Sequence, residues 1–152
     1  MNQVSEGRLS SESKLKIRAM LREVTEIESI GDSCYNLART INHKYRGNED
    51  FTEKQYSHIH QMFQLTDDAL NQMVSLVEDE GHQVDVNKSF NLENEINNYR
   101  SQLKNQNVLD VNNKEYDYQM GVHYMDLIGE CEKLGDYIVN VVEARTDMKE
   151  KK

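Results

Sequence analysis

Between Ile17 and Ile41, apolar or small residues recur at alternating steps of three and four: Ile17, Met20, Val24, Ile27, Gly31, Cys34, Ala38 and Ile41. A stripe of that period, held for more than three heptads, marks one long helix, and the spacing predicts α-helix over about residues 11–45 with this stripe turned inward. The same period returns three times. Thr52 and Gln55 form a capping box that opens a second helix, expected to run to about 80, with Ile59, Met62, Phe63, Thr66, Ala69, Leu70, Met73, Leu76 and Val77 inward. Gly81 is expected to end it. A third helix, about 84–106, carries Leu92, Ile96, Tyr99 and Leu103. The Asn-rich stretch from Asn105 to Asn113 reads as a connection. A fourth, about 114–147, turns Met120, Tyr124, Leu127, Ile128, Cys131, Gly135, Ile138 and Val142 inward. Gly47-Asn48-Glu49-Asp50 is a turn cluster, residues 1–10 read as a flexible tail, and Lys149-Glu150-Lys151-Lys152 as a solvated end.

Four long helices with short links predict an all-α antiparallel bundle, one domain over 11–148, with the first and fourth helices antiparallel neighbours. Composition agrees. The chain has 152 residues, no proline, seven glycines and 30% charged residues, which suits long helices and disfavours a sheet full of tight turns. A mean hydropathy of −0.84 fits helices that each bury one stripe and wet the rest. The net charge of −9 argues against nucleic acid and anionic membrane surfaces. It also argues against bare phosphate, unless a cation reverses the local sign. No signal peptide, apolar span or lipidation signal appears, so no membrane insertion by this chain is expected. Cys34 and Cys131 both fall on apolar stripes and are expected to be buried, reduced thiols in a cytoplasmic compartment.

One phrase is written twice. Glu26-Ile-Glu28-Ser-Ile-Gly31-Asp32-Ser-Cys-Tyr-Asn36 and Glu130-Cys-Glu132-Lys-Leu-Gly135-Asp136-Tyr-Ile-Val-Asn140 both read Glu-x-Glu-x-(aliphatic)-Gly-Asp-x-x-x-Asn. The second Glu, the Asp and the Asn lie at i, i+4 and i+8, one polar row bordering the apolar stripe. Glu93 and Asn97 border the third helix in the same way. A glycine inside a helix costs about 1 kcal/mol relative to alanine, so matched glycines ask for a close neighbour or for room beside the carboxylates. Three readings stand open. The acids form a solvated face, or Gly31 and Gly135 mark a tight crossing of the first and fourth helices with the Asp and Asn bonding across it, or the carboxylates and amide oxygens converge on metal. Hard oxygen ligands favour Fe, Mn, Mg or Ca over soft metals.

The phrase, late in a long helix, resembles the PhoU family of phosphate-transport regulators. It is especially similar to the PhoU-like C-terminal cytosolic domain of bacterial sodium/phosphate cotransporters. Tyr124 to Glu143 looks like the closing helix of that domain, Glu93-Asn-Glu95-Ile-Asn97-Asn-Tyr-Arg100 like its middle helix, and the second helix like its first. The first helix would then close a preceding three-helix repeat. The resemblance implies a regulatory, non-enzymatic module partnered with a phosphate transporter or its membrane domain, cytoplasmic and tethered to the membrane through it. It also implies divalent or trivalent metal ions (Fe, Mn, Mg, Ca or Zn) at Glu28, Asp32, Asn36, Glu132, Asp136 and Asn140, with Glu93 as the middle-helix acid. Glu28, Asp32, Glu132 and Asp136 are expected as the ligands, with Asn36, Asn140, Glu93 and Glu143 at the margin. Ser29 and Lys133 stand where the family often has Arg, and Asn97 where it often has an acid, which removes one charge from a cluster.

Other classes fare worse or remain as alternatives. A ferritin-like di-metal oxidase needs Glu-x-x-His on two helices, and none of His43, His58, His60, His82 or His123 follows a Glu at that spacing. The histidines are expected to face solvent, with His123 the one to check. Tyr35, Tyr99, Tyr124 and Tyr137 are expected to close bundle gaps with their hydroxyls near the surface, and the methionines to fill core. No phosphate loop, nucleophile elbow or Cys-x-x-Cys is present. A generic helical dimerisation or scaffold module without metal, whose acids only border an interface, is the alternative reading, and a homo-oligomer is compatible with it. A metal-dependent phosphoesterase or sensor is a third.

Overall fold

Helix α1 spans Ser11–Arg46, α2 Glu53–Glu78, α3 Val86–Asn112 and α4 Tyr118–Glu150. The computed structural model describes residues 10–46, 50–78 and 85–150, with side chains over 10–42, 50–78 and 85–147. The expected tail at 1–10 (apart from Ser10), the turn at Gly47–Glu49, the stop at Gly81 and the solvated end from Lys149 lie outside those side chains, as do His43 and His82.

Each start has a stated cause. Ser10 Oγ accepts from the Ser13 amide at 3.1 Å and caps α1. The Thr52–Gln55 box forms as expected: the Gln55 amide donates to Thr52 Oγ1 at 3.1 Å, and the Thr52 amide donates to Gln55 Oε1 at 3.0 Å. Phe51, one residue before this cap, meets Tyr56 edge-on with ring centroids 5.6 Å apart, a hydrophobic staple that fixes the angle at which the chain joins α2. Asp85 caps α3 by accepting from the Asn87 amide, and Asp117 Oδ1 caps α4 by accepting from the Met120 amide at 2.8 Å. At the end of α3, the Glu115 amide reaches the Asp110 carbonyl and the Lys114 amide the Val111 carbonyl. That is the Schellman pattern, closed here by Lys114 at φ 61° where glycine is the usual occupant.

The third helix outruns the sequence expectation by about two turns, through the Asn-rich stretch read as a connection. Tertiary bonds override the weak helix preference of asparagine. Gln106 Nε2 donates to Asp110 at 2.9 Å, Lys54 pairs with that same carboxylate, and Tyr116 Oη donates to Asn107 Oδ1 at 2.6 Å.

Helices α2, α3 and α4 pack on one another, and among the described residues α1 packs on α4 alone. The core lies inside the three-helix unit, where Met62, Ile96, Ile128, Cys131 and Val142 are fully buried. The inward residues expected of the second and fourth helices are buried or half-buried throughout. Helix α4, gripped from both sides, buries a second face (Val139, Val141, Ala144).

The first helix is the correction. Its regular stripe, Ile17 to Ile41, faces away from the chain, and every member is exposed, Cys34 and Met20 included. What α1 turns to α4 is Ala19, Glu23, Ile30, Ser33 and Leu37, two of the five polar. Polar bonds make that contact: Glu23 accepts from Arg145 at 2.7 Å, Arg22 pairs with Glu143 at 2.9 Å, and Ser33 Oγ donates to Glu130 Oε1 at 2.9 Å. Low-numbered α1 residues meet high-numbered α4 residues, so the two are antiparallel as expected. Tyr35 closes no gap at 67% exposure, and the Tyr124 hydroxyl lies not at the surface but 3.0 Å from His58 Nδ1.

Candidate functional site: an acidic seam between α3 and α4

The two copies of the repeated phrase, alike in sequence, have unlike surroundings. A Cβ placed on Gly135 would stand 3.3 Å from Ile96 Cδ1, tighter than ordinary contact, so this glycine is what lets α3 lie close on α4. A Cβ on Gly31 meets nothing within 4 Å. The glycine of the second copy therefore serves the crossing of α3 on α4 and that of the first borders open space, so neither marks the expected crossing of the first and fourth helices.

The close approach at Gly135 brings the acids of α3 and α4 together. Ile96 enters beside Gly135, and the turns above and below it carry Glu93, Asn97 and Arg100 onto the row of Glu132 and Asp136. Glu93, half-buried, faces the side chain of the exposed Asp136 closely enough for the two carboxyl groups to interact. Burial is the main cause that raises the Glu93 pKa; the contact with Asp136 adds to it, as do the charges of Asp136 and Glu143. The Asn97 amide donates to Glu93 Oε1 at 3.4 Å and pulls in the opposite direction. Two carboxyl groups in contact share a proton more readily than they bear two charges. One turn away, Glu132 lies 3.5 Å from Arg100 Nε, an ion pair in place of a second acid–acid contact. Asn140 is half-buried on the same row, and Glu143 is engaged by Arg22.

The first copy does not join this seam. Glu28 and Asp32 are exposed on the side of α1 turned away from α4. Asn36 reaches α4, but its amide donates to Glu130 Oε1 at 3.2 Å, the same oxygen that Ser33 reaches. Helices α3 and α4 thus share an acidic flank as expected, and α1 does not. The eight residues expected at the metal, ligands and margin together, fall into three places: Glu93, Glu132, Asp136 and Asn140 on the seam, Asn36 and Glu143 in contacts between α1 and α4, and Glu28 and Asp32 in solvent. Among the described residues no three His, Cys, Asp or Glu side chains are grouped so as to hold a metal ion. The seam itself offers two carboxylates in contact and an amide.

Residues that sequence reasoning passed over do much of the joining. Glu130, the first Glu of the phrase, fastens α1 through Ser33 and Asn36 and lies 3.7 Å from Lys133. Its position two residues before the row marks it as facing another neighbour. Arg100 was legible as a cation seven residues after Glu93, two helical turns along the same row. Beside the seam, an open groove of about 1130 Å³ runs between α1, α3 and α4, with Arg39, Lys104 and His123 among its lining residues. Cys131, in the floor of the bundle, has its thiol pushed up to about 12, chiefly by burial. His58, in contact with Tyr124, has its pKa lowered, first by burial and then by the Lys54 charge.

Residues 59–144, which take in most of α2, the whole of α3 and most of α4, match a family model described as PhoU domain. No curated protein and no solved structure matches the chain. The matched segment is the three-helix unit that contains the seam, and α1 lies outside it.

Proposed function

Because the chain belongs to the PhoU domain family, we propose that it regulates phosphate transport as a non-enzymatic helical module. In this reading it resembles the cytosolic domain of sodium/phosphate cotransporters and acts on a transporter or its membrane domain at the inner face of the cell membrane. The family itself speaks for a regulatory helical module of phosphate homeostasis. The observation that carries the reading is the coincidence of the family match with the α2–α4 unit and its acidic seam. No helix among the described residues is long and apolar enough to cross a membrane, so contact with a transporter is assigned to helix faces.

A hard cation, where one takes part, belongs at Glu93 and Asp136, because a positive ion relieves the contact between the two carboxyl groups. Calorimetric titration with Mn²⁺ tests this assignment. Glu93→Gln with Asp136→Asn should abolish the heat and Glu28→Gln with Asp32→Asn should keep it; equal loss in both pairs would contradict it.

The functional test is phosphate uptake in cells lacking the chain, with and without its return. Uptake should lose its response to external phosphate and regain it on return. An unchanged response would refute the role. Hydrolysis of p-nitrophenyl phosphate by the purified chain, abolished by Asp136→Asn, would move the reading to the phosphoesterase class.

A further inference from the structure

Helix α1 holds its most regular apolar face toward solvent. Ile17, Met20, Val24, Ile27 and Ile41 are 43, 56, 55, 44 and 44% exposed, with Leu21 at 62% and Tyr35 at 67% beside them. Their steps of three and four follow a heptad, the period of a seam between two helices. An exposed patch of this size on one helix calls for a cover. The internal repeat says the same independently. When α1 is slid along the sequence until Asp32 lies on Asp136, Val24 falls on Ile128, Ile27 on Cys131, Gly31 on Gly135 and Ala38 on Val142. All four of those α4 residues are buried, and Gly135 receives Ile96. The matching face of α1 is built to be packed in the same manner.

We propose that this face joins two copies of the chain, with α1 lying antiparallel on α1 of a second copy so that Ile27 seats over the partner's Gly31. The seam is self-complementary in size. Its first half is large (Ile17, Met20, Val24, Ile27) and its second half small (Gly31, Cys34, Ala38) up to Ile41. An antiparallel pairing puts Val24 on the partner's Cys34, Met20 on the partner's Ala38 and Ile17 on the partner's Ile41, with Leu21 beside the partner's Tyr35. A parallel pairing would stack Gly31, Cys34 and Ala38 on themselves and leave a channel. The exposed parts of these side chains amount to roughly 700–800 Å² per protomer, or about 1,500 Å² in all, the size of a stable two-fold interface. One feature opposes the contact: Glu28 comes beside the partner's Glu28 near the axis, so Glu28→Gln should tighten the dimer. The interface stands or falls apart from the role in phosphate transport.

Sedimentation equilibrium on the full chain tests the proposal. The wild type should dimerise in the micromolar range, and Ile27→Lys, at a site exposed in the single chain, should weaken the dimer by at least about tenfold while leaving the helical circular dichroism unchanged. Ile17→Lys, at the far end of the seam, is the second variant. Orientation is read with a short bismaleimide. V24C should cross-link between copies through Cys34, and the wild type should not, because the two Cys34 residues are about 15 Å apart along an antiparallel seam. A wild type still monomeric at high micromolar concentration would overturn the proposal and point to helices of another polypeptide as the cover. Dimers as tight in both lysine variants, or cross-linking of the wild type as efficient as that of V24C, would overturn it as well.

Discussion

The two glycines at matched places in the repeated phrase are predicted to respond oppositely to the same substitution. A helix-interior Gly→Ala change gains about 0.8–1.0 kcal/mol from backbone entropy and propensity. At Gly31 nothing opposes that gain, since a Cβ there has no neighbour within 4 Å, so Gly31→Ala should stabilise by about 1 kcal/mol. At Gly135 the new methyl stands 3.3 Å from Ile96 Cδ1 and 3.7 Å from its Cγ2. Ile96 is fully buried, so its δ-methyl has little room to turn away, and overpacking costs about 1–3 kcal/mol. The tip of a side chain yields more readily than backbone, which favours the low end and a net effect between about zero and −1 kcal/mol. The two variants should therefore differ by about 1–2 kcal/mol. Urea unfolding followed by circular dichroism, at protein concentrations low enough to keep the chain monomeric, measures this directly. Equal gains at both sites would refute the close approach of α3 at Gly135, and a loss at Gly31 would refute the outward direction of the α1 stripe.

Lys114 holds the left-handed position that ends α3, so Lys114→Gly should stabilise by about 1 kcal/mol in the same unfolding assay. Arg145→Met removes the cation paired with Glu23, a residue 6% exposed; it should cost about 2 kcal/mol, and adding Glu23→Leu should recover most of that. The raised Glu93 pKa means that the folded chain binds more protons than the unfolded one between the ordinary glutamate value and the raised value. Stability should fall as pH rises through that window, and Glu93→Gln should flatten this part of the profile and be the more stable form at neutral pH, as unfolding curves across pH will show.

Helices α2 to α4 were legible because the expected stripe of each meets the core of the three-helix unit, although α4 buries a second face as well, and because Thr52 and Gln55 announce a start without help from tertiary structure. The end of α3 was not legible, since Gln106, Asn107 and Asp110 are held in helix by partners on other elements. The face of α1 was misjudged for a deeper reason. Period tells which residues share a face and is silent about which neighbour the face meets; the contact with α4 sets Glu23, Ser33 and Asn36 among Ala19, Ile30 and Leu37, a mixed face that a hydrophobic pattern passes over. The repeated phrase pointed to Gly135, which is packed against Ile96, and beside it to Asp136, which is exposed. It could not tell that its twin at Gly31 and Asp32 borders solvent, because the difference lies in the helix that sits opposite and not in the phrase.

The central claim is that function resides in the α3–α4 seam and not in the equally acidic twin on α1. Phosphate uptake against external phosphate, measured in cells carrying Glu93→Gln with Asp136→Asn or Glu28→Gln with Asp32→Asn, tests it most directly. The seam pair should lose the response to external phosphate and the α1 pair should retain it; an intact response in the seam pair, or equal loss in both, would contradict the account.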